Sequence, residues 1–168
     1  MKSKEEKSVL ISIQPKWVEK IASGEKTIEV RKIRPKWETS FKCYIYETKS
    51  KQVERCDGCD VTCYGRGKVI GEFVCDRIAG KGETIRGNSC LTVEELQDYC
   101  NGKDIYFWRI TDLKIYDKPK ELSEFYIKCE KGNCRMCDWE REYDVCACKY
   151  KKPITRPPQS WCYAEVQE

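Results

Sequence analysis

Gly24, Lys26, Glu29 and Arg31 stand in the stretch SGEKTIEVRK, positions 23 to 32. These residue types at this spacing admit two kinds of chemistry. A lysine desolvated in a cleft can lose its proton and act as a base or nucleophile. Glu29 is the alternative base, activating water, with Arg31 holding a phosphate or an oxyanion. Plain recognition suits the same trio equally: Lys26 and Arg31 grip phosphates while Glu29 accepts from a base amino group. The chain contains no His. That removes the commonest acid–base residue and every Ser–His or Cys–His pair, and it favours binding over catalysis.

A second candidate element is RPPQSWCY near the C-terminus, positions 156 to 163. Gln159 and Ser160 can read a base edge, and Trp161 and Tyr163 can stack on a single-stranded or flipped base. Strand alternation puts Trp161 and Tyr163 on one face and Cys162 on the other. Large aromatics more often pack than serve as platforms, so both roles stay open for Trp161. Tyr46, Glu47 and Thr48 end their strand where they can reach the same cleft. Trp17, on an apolar helix face, is assigned to the core, and Glu72 to a solvent-facing strand position.

The elements that must position these residues are mostly strands. Residues 9 to 14 alternate, with Val9, Ile11 and Ile13 on one face. A short helix follows from Pro15, with Trp17, Val18, Ile21 and Ala22 on one side and Gly24 at its C-terminal stop. Strand patterns recur at 27 to 33, 42 to 49, 67 to 78 and 104 to 117, and SWCYAEV supplies a last one. Thr92 and Glu95 form a capping box that opens a second helix, which stops at Asn101–Gly102. Five or six strands with two short helices predict an α+β, barrel-like single domain over residues 1 to 168. Within it, alternation puts Thr27, Glu29 and Arg31 on one face of a strand and Ile28 and Val30 toward the core. Lys26 falls in the turn after Gly24. On periodicity alone the charged face reads as an exposed edge strand with charge pairs.

Charge is unevenly spread. The net charge is +4, yet residues 26 to 36 hold five bases against one acid and residues 149 to 156 hold four bases, which leaves −4 elsewhere. One basic face toward a polyanion such as RNA, or two solvated loops, fits that division. No apolar run approaches the ~20 residues that cross a bilayer, and the mixed-charge start MKSKEEKSVLISI is no signal peptide. A cytoplasmic location is the expectation.

Thirteen cysteines remain. They cluster in CDGCDVTC (Cys56, Cys59, Cys63) and in CEKGNCRMC with the following CAC (Cys129, Cys134, Cys137, Cys146, Cys148). With no His, a structural zinc would need all-Cys or mixed carboxylate ligands. Cys134, Cys137, Cys146 and Cys148 are the candidate metal ligands; the alternative joins Cys56/Cys59 to Cys134/Cys137. Reduced thiols explain the same spacing without metal. No organic cofactor is expected. Cys43, Cys75, Cys90 and Cys100 are expected on regular elements as small core residues.

ISIQPKWVEKIASGEKTIEVRK resembles the opening of an ASCH domain, whose signature is Gly, then Lys two later, Glu three further and Arg two beyond. Here these are Gly24, Lys26, Glu29 and Arg31. The resemblance continues through YIYETK, GKVIGEF, the helix capped at Thr92, DLKIYDKPKELSEF and RPPQSWCYAEV, in the manner of a phage-associated and bacterial branch. Residues 50 to 66 and 128 to 152 look like insertions. The resemblance implies a PUA-like small β-barrel whose cleft is lined by the signature residues and binds RNA, a nucleotide or a modified nucleoside. Lys26 and Glu29 would be its catalytic candidates, and Arg31, Glu47, Ser160 and Trp161 its ligand-binding ones. Some small members resemble amidohydrolases of N4-acetylcytidine, in which a Thr stands where this chain has Glu29. A third class is a zinc-stabilised protein-interaction module built on the Cys-rich insertions, its protein partner unknown.

Overall fold

The structure is a computed structural model that describes residues 7–56, 58–127 and 153–166. Its elements run β1 (Ser8–Ile13), α1 (Pro15–Ala22), β2 (Ile28–Arg31), β3 (Phe41–Glu47), β4 (Lys51–Cys56), β5 (Cys59–Tyr64), β6 (Val69–Ala79), α2 (Val93–Cys100), β7 (Tyr106–Lys120), β8 (Phe125–Ile127) and β9 (Trp161–Val166). Seven strands form one mixed sheet in the order β2-β7-β6-β3-β1-β9-β8. The expected α+β architecture is present, with two helices. The strand count is higher than five or six, and β2 and β8 are the two edges of a sheet that does not close on itself. The excess comes from the short β8, and from β4 and β5, which pair as a separate hairpin.

That hairpin occupies most of residues 50 to 66, one of the two segments read as insertions. Cys56 and Cys59 are its closing pair, so the two cysteines of the CxxC face each other across the ladder. The other segment, residues 128 to 152, lies outside the described residues, and with it the metal candidates Cys134, Cys137, Cys146 and Cys148. Among the described residues no three His, Cys, Asp or Glu side chains gather as a metal site would require. No described helix is long and apolar enough to cross a membrane.

The core explains the layout. β1 lies inside the sheet, parallel to β3 and antiparallel to β9, and all six of its residues are buried. Alternation then decides the layer each side chain enters. Val9, Ile11 and Ile13 join Phe73 and Trp108 in one apolar cluster, whereas Leu10 joins Phe125 and Ile154 in the other. Each such side chain contributes about 1.5–3 kcal/mol by leaving water. The two serines of β1 satisfy their hydroxyls in the interior: Ser8 Oγ donates to the Ala164 carbonyl at 2.5 Å and Ser12 Oγ to that of Pro158 at 2.6 Å.

Both helices keep their expected bounds for the expected reasons. α1 begins on Pro15 and buries Pro15, Val18 and Ile21, and Gly24 beyond it takes φ +79°. Ala22, expected on the same side, is exposed. α2 carries the full Thr92–Glu95 capping box and ends on a left-handed Asn101. Cys43 and Cys75 are buried as expected. Cys90, by contrast, sits in a loop with φ +58° rather than on a regular element. Glu72 is half-buried and not a plain solvent-facing residue: it accepts from the Tyr116 hydroxyl and lies 3.7 Å from the Lys42 ammonium.

Candidate functional site

Lys26 is in the turn between α1 and β2, where its backbone N–H bonds the Lys20 carbonyl at 2.8 Å and so closes the helix end. From there its side chain turns inward and is 3% exposed. Its ammonium donates to the carbonyls of Ile28 (2.8 Å) and Ser89 (2.7 Å) and lies 3.5 Å from the Glu29 carboxylate. An ammonium has three donors, and these partners use all of them. The Trp17 ring centroid lies 5.2 Å from the same nitrogen.

Glu29 bridges the two cations, with its second oxygen 3.0 Å from Arg31 Nη2. That nitrogen also donates to the Ser12 carbonyl at 2.6 Å, and Arg31 Nη1 donates to Ser160 Oγ at 3.3 Å. Arg31 Nε is buried with no acceptor among the described residues. The trio therefore draws on β1, the α1–β2 turn, β2, the loop before α2 and the start of β9.

The periodicity reading of an exposed charged edge is overturned. Glu29 and Arg31 are 6% and 8% exposed, and every residue of β2 is buried. β2 is indeed a sheet edge, but the backbone N–H groups of Thr27 and Ile28 both reach the Asn88 carbonyl, so the loop before α2 covers it. Gly87, at φ +150°, allows that close approach: a Cβ there would meet the Ile28 side chain at 2.5 Å. Ile28 and Val30 are buried outside the two apolar clusters.

A cavity of about 550 Å3 opens over the trio, bounded by Trp17, Lys26, Glu29 and Arg31, by Thr48 and Ser50 after β3, by Leu91 and Tyr99 around α2, and by Pro157 to Gln159. Two cations and one carboxylate leave its floor with a formal charge of +1. Burial pulls the Lys26 ammonium below its ordinary value, and the attraction of Glu29 only partly offsets this. Burial also pushes the Tyr99 phenol up, with Arg31 opposing.

The other candidates divide. Ser160 is brought to Arg31. Glu47 is buried but serves the hairpin root, accepting from the Arg66 backbone N–H at 2.8 Å. Trp161 is held in packing: its indole N–H donates to the Ile33 carbonyl at 3.1 Å, and its ring lies tilted against Trp108 and edge-on to Tyr163 at centroid distances of 5.9 and 5.2 Å. Trp17 packs against the core, as its helix face predicts, and it also borders the cavity, as does Tyr99. Tyr99 carried no signal in the sequence: its helix has no buried residue, and only the fold returns it to β2.

No family model matches the chain, and no curated protein matches it. Solved structures do. An ASCH protein from Zymomonas mobilis matches at a TM-score of 0.54 and 18% identity, covering 93% of this chain and 86% of that one. Two mutants of the same protein match at 0.56 and 0.54, with 19% and 18% identity and 93% and 95% of this chain covered. The fold is that of these ASCH structures, an α+β arrangement.

Proposed function

We propose that this chain is an ASCH family protein that binds RNA or a nucleotide-like ligand in the cleft over Lys26, Glu29 and Arg31. One observation carries the reading: two buried cations and one buried carboxylate, Lys26, Arg31 and Glu29, line a cavity of about 550 Å3 and leave it a formal charge of +1. The net positive floor suits a phosphate, and Trp17 and Tyr99 on the cavity wall suit contact with a base. The fold shared with ASCH structures supports the same class of ligand.

Binding is favoured over catalysis because the ammonium of Lys26 is fully engaged by the protein. A nucleophile needs a free lone pair, and Lys26 would first have to leave two carbonyls and Glu29. The second reading is a hydrolase of modified nucleosides or of RNA, and the downward pull of burial on the Lys26 ammonium favours it. Incubation with cellular RNA and a panel of modified nucleosides, followed by mass spectrometry, separates the two. The expected result is RNA retention that weakens with salt, is lost in Lys26→Ala, and yields no new product. A product formed by the unmutated protein alone would replace this reading with the hydrolase.

A further inference from the structure

We propose that the ligand is a single-stranded RNA longer than one nucleotide, which leaves the cleft across the root of the β4–β5 hairpin, stacks a base on Tyr64 and places phosphates against Lys51 and Arg66. The proposal rests on the cleft reading for its starting point and extends it to a surface outside the cavity.

Tyr64 is 69% exposed, more than any other large hydrophobic residue among those described. A single exposed aromatic is ordinary on a protein surface, but its neighbours here are not random. The hairpin register pairs Tyr64 directly with Lys51, which puts their Cβ atoms about 5 Å apart on one face. Arg66 follows two residues on, its side chain 60% exposed. That guanidinium lies 3.8 Å from the Glu47 carboxylate; an exposed ring paired with one cation and close in sequence to a second is the composition of a stacking platform for unpaired bases.

The platform adjoins the cavity wall. Thr48 and Ser50 line the cavity, Lys51 is the next residue, and the Gly65 N–H bonds the Ser50 carbonyl at 3.4 Å. Gly65 has no space for a side chain: a Cβ would overlap the Thr48 carbonyl and meet Pro15 at 2.7 Å. The root of the hairpin is thus packed onto the cleft rim and the first residue of α1. A strand bound in the cleft has a continuous, positively charged exit over that root. Phosphate contacts belong at this root, where Lys51 and Arg66 stand.

The test uses the full chain, a labelled eight-nucleotide RNA followed by fluorescence anisotropy, and mononucleotides followed by calorimetry. Tyr64→Ala should weaken the octamer about 5- to 160-fold, the range for loss of one base stack, while Tyr64→Phe binds as the parent and mononucleotide affinity does not change. Lys51→Ala should lower the slope of log affinity against log salt by about 0.7, as for one single-strand phosphate contact. An octamer bound equally by the parent and Tyr64→Ala overturns the proposal, as does a parent chain that binds no octamer. If the octamer depends on Tyr64 yet mononucleotides do not bind, the hairpin contact stands and the cleft reading falls.

Discussion

The chemistry of single residues here is governed by desolvation. Glu29 balances two buried cations, so Glu29→Ala leaves both uncompensated and is expected to cost about 3–5 kcal/mol, read as a lowered urea midpoint. Lys20 and Glu25 form a shorter pair, 2.6 Å apart, but in solvent; Lys20→Ala is expected to leave that midpoint where it was. Buried thiols supply a pH signature. Burial pushes Cys75 up to about 12 and Cys162 up to about 11, and raises Cys43 well above its ordinary value. An unfolded thiol titrates near 8.5. The folded state thus holds protons that the unfolded state loses, and the resulting stability is complete below about pH 8.5 and declines from there toward 12. Urea midpoints measured from pH 8 to 11 should fall, and in Cys75→Ala they should fall less steeply. Thr27, Glu29 and Arg31 were assigned one strand face from spacing alone, and Lys26 a place in the turn. That the face was dry was not visible, because its cover comes from Ser12, Asn88 and Ser160.

Among the elements, the loop before α2 and α2 itself wall the site. α2 has no buried residue, so its persistence depends on local interactions more than on packing. The Thr92 hydroxyl accepts from the Glu95 N–H at 3.1 Å, and the Glu95 carboxylate accepts from the Thr92 N–H at 2.8 Å. Thr92→Ala should cost about 1 kcal/mol and speed amide exchange across residues 93 to 100, leaving β1, β3 and β6 protected. Because Leu91 and Tyr99 belong to the cavity wall, ligand should restore that protection. The boundaries of both helices were legible because caps and stops act over three or four residues. The main sheet's pairing order was not, since β1 meets β3 across α1 and β2, and meets β9 only near the end of the chain.

For the molecule as a whole, the sheet separates two apolar layers, and Trp108 anchors the one beneath the site. Its ring is fully buried, edge-on to Phe41 at 5.5 Å and against Trp161. Trp108→Ala should cost about 3–5 kcal/mol by opening a cavity there. The Trp108 indole N–H has no acceptor among the described residues, so Trp108→Phe should cost much less, because it also removes an unpaired donor. Thermal unfolding of the two variants provides the comparison. The same layer explains why Trp161 is a packing residue: β9 lies beside β1, and the Trp161 ring falls against Trp108 before it can reach the cavity.

By itself, the sequence determined what acts over a few residues. It set the alternation of β1, the Pro15 start and Gly24 stop of α1, the capped α2, and the order Gly24, Lys26, Glu29, Arg31 in a chain without histidine. Tertiary structure alone decided which of these groups meet water and which meet one another. It buried the charged trio under a loop some 60 positions away, put Trp17 on the cavity wall as well as against the core, held Trp161 in packing, and turned Glu47 toward the hairpin. The physical reason is one of range: propensities and caps depend on neighbours along the chain, whereas desolvation depends on whatever the sheet order brings over a side chain.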